Sequence, residues 1–427
     1  MTTNGIKPVN NVNFKGAFYN GTAYVQEHTL LNRGLIDLGG CAIPHTLLSN
    51  TKAEALERAS MGALYFGLSF FTPILLLPLY NKHFLKANCI IKDLANKKEL
   101  KIIEVSKKYL TKDNDFMVKG IRETGKKLKC EKEFEGILNR FKNKDELREK
   151  LLKTHESVLR TDFISTAWMW CSTPWLVTEI SEAKTHRKGF SATSNMKADS
   201  QIDDKTYRRN KNLKMLGSAL CATIPGLIIP KLVTKGLKGN SGNKILKFIK
   251  NNPENFDYGF SVNMSKTLFA SMWLLSSYPS NIISARDGDE RRDRACRNLS
   301  LLTMYFLGDH VISNVVGRTI DKFAGTKIMN TDKFKGKNPN FFDKLTLTIR
   351  DFREFEKMPN MSKETLRKTK NAGAAAYWAG MLTNMALIGI SLPKIMNWML
   401  KKNVNKELAQ QQNLNFTQVN INQFLKS

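Results

Sequence analysis

The densest group of chemically capable side chains is the stretch SARDGDERRDRACRN, residues 284–298. Asp287, Asp289, Glu290 and Asp293 fall within seven residues and offer hard oxygen ligands of the kind that hold Mg²⁺. Five arginines (Arg286, Arg291, Arg292, Arg294 and Arg297) are interleaved with them. At helical spacing such a pattern pairs with itself, so the competing expectation is a charge-compensated helix start. Asp309 and His310 follow inside an otherwise apolar run. Ionisable groups in such a run are costly in lipid and mark pathways or relays when they occur, so this pair is a candidate intramembrane polar site.

Neither group completes a known motif. The pattern of membrane CDP-alcohol phosphotransferases, Asp-Gly-x-x-Ala-Arg with spaced aspartates after it, is not met: Asp287-Gly288 is followed by Asp289, Glu290, Arg291 and Arg292. Phosphate-loop, dinucleotide, zinc-protease and nucleophile-elbow signatures are absent from the sequence. No catalytic residue, metal site or cofactor is assigned. The six cysteines are scattered without a C-x-x-C, which speaks against a disulfide framework or zinc site.

The elements that must position these residues are set by runs without charge: 59–80, 163–178, 215–230, 267–285 and 371–393, with weaker runs at 34–50 and 298–317. A bilayer core needs about 17–25 apolar residues per helix. The first and last strong runs meet that length, and those of 16 residues are marginal. Prolines recur within them. Pro44 and Pro78 are 34 residues apart, as are Pro359 and Pro393, and Pro279 precedes Asn314 by 35. Pro174 and Pro230 stand further apart because a polar insert lengthens their connection. This spacing predicts degenerate tandem two-helix repeats, each an apolar segment with a proline near its end, a linker, a second apolar segment and a basic exit. Mitochondrial carriers share the arrangement of three two-helix repeats. Their acid two residues after the proline is replaced here by Thr46, Leu176 and Asn281, and no transport activity is inferred from the arrangement.

The predicted fold is therefore all-α, a multi-segment helical membrane bundle with a soluble amphipathic helical insertion. Its expected divisions are a flexible segment (1–30), repeat unit 1 (31–80), a basic insertion (81–160), repeat unit 2 (161–236), a linker (237–266), repeat unit 3 (267–322), a partial unit 4 (323–402) with an interfacial amphipathic helix, and a disordered Asn/Gln-rich tail (403–427).

The charge points to the partner. Sixty-seven Lys and Arg against 38 Asp and Glu leave +29, a balance that favours anionic membrane lipid. The basic residues are spread over every linker rather than interleaved with aromatics on one element, so no specific nucleic-acid module is legible. Because every linker is basic, the positive-inside rule does not orient the chain; re-entrant hairpins would place the linkers mainly on the cytoplasmic face. The expected function is a non-enzymatic integral membrane protein, scaffolding or membrane-shaping, whose basic loops contact anionic headgroups. Three alternatives accompany it: a solute-translocating bundle, a membrane-bound enzyme on lipid phosphates, and a soluble all-α basic protein whose apolar runs form its core.

Overall fold

Runs of Leu, Ile, Ala and Met at helical spacing, with few glycines or prolines to interrupt them, leave the chain little choice but helix. The structure is a computed structural model. It describes residues 17–27, 31, 34–79, 98–198, 202–239, 242–257, 265–304, 308–331, 338, 341–345, 347–350, 355 and 362–424. Helix accounts for 85% of it and no strand occurs among the described residues, so the protein is all-α. One isolated antiparallel bridge, Met329 with Ile349, is its sole extended pairing among them. The chain forms two units, Gly67–Asn298 and the combination of Met1–Phe66 with Leu299–Ser427.

The unit Gly67–Asn298 is built on α6 (Lys144–Thr185) and the antiparallel α7 (Asp204–Lys238). A third rod runs beside both: α9 (Lys266–Met272), a π-helical turn π2 (Trp273–Ser277) and α10 (Tyr278–Ile283). Phe163, Ala167 and Cys171 of α6 meet Ala222 of α7 and Met272 of α9 between these rods, with Trp170 and Phe269 packed alongside. At one end α4 (Asn114–Leu128), α5 (Glu131–Arg140) and the first half of α6 enclose a larger aliphatic core. The short α8 (Lys244–Asn251) and the last turns of α7 close it through Leu246, Ile249, Val233 and Leu237. Asp113 caps α4 by accepting from the Phe116 N–H at 2.7 Å, and Asn143 caps α6 in the same way.

The insertion expected at 81–160 is thus not set off from unit 2 at residue 160, because α6 runs unbroken through that position. Nothing between Lys144 and Thr173 breaks a helix, and a change in charge alone does not end one.

The other unit contains α1 (Ala17–Glu27), π1 (Gly34–Ala42), α2 (Ile43–Leu47), the start of α3 (Lys52–Leu79), α12 (Asp309–Ala324) and α13 (Phe341–Leu345). It also holds a rod of α14 (Lys363–Ala386), π3 (Leu387–Ser391) and α15 (Leu392–Phe424). Helix α11 (Gly288–Thr303) lies across the division between the units.

Three stretches differ from their expected character. Within 1–30, the part that is described is helical, with Tyr19 and Thr22 buried and the Trp378 indole donating to Thr22 at 2.9 Å. The tail 403–427 continues α15 to Phe424, since no glycine or proline follows Pro393 to stop it. The stretch read as an interfacial helix is helical over Phe341–Leu345 and at Phe355 among the described residues; residues 347–350 are not helical, and Arg350 N–H donates to the Ile328 carbonyl at 2.8 Å. Alternating Leu and Thr in LTLTI favour extended pairing over helix there.

Candidate membrane-facing surface

On α7 the outward side chains are Leu213, Leu216, Leu220, Ile224, Leu227, Ile228 and Leu232, every one of them exposed. Leu213, Leu216, Leu220, Ile224, Ile228 and Leu232 recur at intervals of three and four, with Leu227 beside Ile228, which places them in a single stripe. The stripe ends in charge on both sides: Arg208 and Arg209 stand exposed before it, Lys231 stands exposed beside its last residue, and Lys235 and Lys238 stand exposed beyond it. Only 28% of the helix's most apolar 18 residues is buried within the protein. Neighbouring rods extend the surface, α6 with exposed Trp168, Leu176 and Ile180 and π2 with Leu274 and Leu275.

The α14–π3–α15 rod has the same character. Its apolar window is 22% buried, and Leu382, Ile390, Ile395 and Trp398 are exposed. Among the described residues, Asp204–Lys238 and Lys363–Gln412 are the two helices long and apolar enough to cross a membrane, against the six or seven segments expected. The run 267–285 forms α9–π2–α10, and the run 59–80 falls mostly in α3, where the side chains of 69–79 lie outside the described residues.

Polar groups at the end of α7 opposite α8 are tied to one another. Asp287 accepts from the Phe190 N–H at 2.8 Å and caps α11 through the Glu290 N–H at 2.9 Å. Asp289 pairs with Lys197 at 2.5 Å, and Asp293 with Arg297 at 2.9 Å. Glu290 is buried between Arg286 and Arg294, at 3.0 and 2.6 Å. Burial alone would push the Glu290 carboxyl up, but the two guanidiniums override it and hold it at about 2. Lys214 reaches from α7 to the Ala285 carbonyl at 2.6 Å. All four acids of the sequence cluster thus have partners among Lys, Arg and backbone N–H groups. Among the described residues no three His, Cys, Asp or Glu groups are placed to hold a metal ion.

Asp309 and His310 are the first two residues of α12, and their side chains lie outside the described residues. The proline markers fall into two settings. Pro174 and Pro230 are buried inside long helices, and Pro78 lies inside α3 with its side chain outside the described residues. Pro44, Pro279 and Pro393 each follow a π-helical turn by two residues: π1 ends at Ala42, π2 at Ser277 and π3 at Ser391. A prolyl ring lacks an N–H and collides with the carbonyl four residues back, and the wider π turn relieves that collision. Asn314 is buried and donates to the Lys344 and Leu347 carbonyls at 2.6 and 3.0 Å, a pinning role that no proline could fill. Pro359 lies outside the described residues.

Two of these proline turns cross. A Cβ on Gly389 would come 2.2 Å from the Gly40 carbonyl oxygen and 3.1 Å from Pro44. His45 Nε2 donates to the Ile388 carbonyl at 3.0 Å. That carbonyl stands five residues before Pro393, facing a ring nitrogen where a π register would supply an N–H. A glycine stands four residues before three of the prolines, Gly40, Gly226 and Gly389, a signal that proline spacing alone does not carry. Gly226 also marks a close approach, where a Cβ would come 2.4 Å from Ile164 Cγ1. Lys107 and His155, which no spacing points to, are both buried in the aliphatic core, with Nζ and Nε2 lacking hydrogen-bond partners among the described residues. A lysine between aliphatic runs carries no sequence mark of burial. No family model, curated protein or solved structure matches the chain.

Proposed function

We propose that the chain is a non-enzymatic integral membrane protein, a scaffold or membrane-shaping component held by apolar helices and engaging anionic lipid through its basic ends. The observation that carries this reading is the exposed stripe of α7 and its charged limits. From Leu213 to Leu232 the stripe is about 29 Å long at 1.5 Å per residue, close to the roughly 30 Å of a hydrocarbon core. Arg208 and Arg209 at one limit and Lys231, Lys235 and Lys238 at the other then lie at headgroup depth, where each contributes about 1 kcal/mol with anionic lipid. The α14–π3–α15 rod supports a second crossing in the other unit. The α6 and α9–π2–α10 rods would cross beside α7, with the domain around α4 and α5 on the cytoplasmic side.

The Gly-x-x-x-Pro steps at 40–44, 226–230 and 389–393 support a repeated unit in which a small residue admits a neighbouring helix and the proline bends the rod after it. Alkaline carbonate extraction of membranes holding the full chain tests the reading. Retention in the pellet, with no release on adding salt, is the expected result. Recovery in the supernatant would reject it.

A further inference from the structure

Helix α8 has a wider apolar arc than the part of it that the protein buries. Leu246 and Ile249 are buried against the end of α7, where a Cβ on Gly236 would come 2.8 Å from Ile249. That uses part of the arc. The same apolar arc continues around the helix through Ile245, 62% exposed, and Phe248, 50% exposed, whose ring meets buried Phe256 edge-on, while exposed Lys244 and Lys247 stand on the polar side. A surface helix of a soluble domain turns polar residues outward, and two large apolar groups on one eight-residue helix are more than scattered exposure accounts for. Position supplies the occupant. Gly236 is four residues beyond Leu232, so α8 seats about 6 Å past the end of the α7 stripe, at the headgroup–acyl boundary where an interfacial helix lies. The lysines around it, with Lys231, Lys235 and Lys238 of α7, match an anionic surface.

We propose that α8 is an interfacial foot, inserting Ile245 and Phe248 among the acyl chains of an anionic leaflet while Lys244 and Lys247 hold its headgroups. The inference rests on the membrane reading above and narrows it to one element and one partner, a bilayer surface. It gives the unit Gly67–Asn298 a fixed depth: α7 crosses, and α8 stops the crossing at the boundary.

The test uses the full chain with its native cysteines replaced by alanine, reconstituted in vesicles of phosphatidylcholine with phosphatidylglycerol. A nitroxide is attached at Phe248→Cys or, separately, at Leu220→Cys, and its collisions with oxygen and with a water-soluble nickel chelate are measured. The inference expects both labels to favour oxygen, and the Phe248 label to turn toward nickel when Lys244→Gln and Lys247→Gln are combined. A Leu220 label in lipid with a Phe248 label in water would overturn the foot and leave the membrane reading standing. Both labels in water would overturn both. A Phe248 label shielded from both reagents would mean that a protein or a second copy covers α8, and would also overturn the inference.

Discussion

Helix α6 places two opposite chemistries on one axis. Over residues 144–160 its inward side chains are Leu147, Leu151, Leu152, Val158 and Leu159, and its outward face is laced with pairs such as Lys150–Glu146 at 2.8 Å and Lys153–Glu149 at 3.4 Å. Over 163–178 the buried groups are mixed, Phe163 and Val177 with Ala167, Cys171, Thr173 and Thr178, while large apolar Trp168 and Leu176 stand outside. The first half turns charge outward and the second turns large apolar groups outward, on one continuous helix. On the proposed reading, it is the surroundings that change along it. A helix hydrophobic on its outer face must find an apolar solvent or a partner.

The comparison can be broken from either side. Leu151→Ala should have the largest effect, about 2–5 kcal/mol of destabilisation, seen as lost hydrogen-exchange protection across 98–160; unchanged protection would mean that this core is not closed. Leu220→Arg should cost about 3 kcal/mol at the middle of a crossing helix, lowering the membrane-bound fraction without loosening the core around Leu151. If it lowered both equally, the two regions would not be in different solvents.

Lys107 sharpens the water side. It is 1% exposed, and burial pushes its ammonium down from 10.5 to about 8, against the opposing pull of Asp257. The folded value lies below the unfolded one, so the full penalty applies below about pH 8, where both states are protonated, and is relieved as pH rises toward 10.5. The difference corresponds to about 3 kcal/mol. Lys107→Met should therefore stabilise the domain at pH 7 by that order and flatten the rise in thermal stability between pH 8 and 10. His155, held well below 6.5 by burial and then by the Lys107 charge, adds a loss of stability as pH falls through 6.5. A Lys107→Met variant less stable than the parent at pH 7 would contradict the buried-amine account. Smallest is Gly226→Ala, whose added methyl meets Ile164 and should cost about 1–3 kcal/mol in the detergent stability of the α6–α7 crossing; no change would mean that the two helices already stand apart.

Much of this contrast was legible in the sequence. The charge-free runs 163–178 and 215–230 mark the half of the unit with outward apolar groups. The continuity of α6 was not legible, because Arg160 and Asp162 look like a border although a helix passes charges without stopping. Nor did the spacing of prolines separate those buried within helices, such as Pro174, from those that follow a π turn, such as Pro279, since both occur in apolar runs of similar composition. The acid cluster at 287–293 was readable as either a ligand set or a self-paired helix start. Its partners Lys197 and Phe190 come from a loop about 90 residues away, which local spacing does not reveal.

The most direct measurement is photolabelling of the membrane-bound chain with an apolar carbene precursor that partitions into lipid, followed by mapping of the modified residues. The account predicts adducts along Leu213, Leu216, Leu220, Ile224 and Ile228 and none at Ile102, Leu151 or Leu159. Equal labelling of both regions, or none within 213–232, would contradict it.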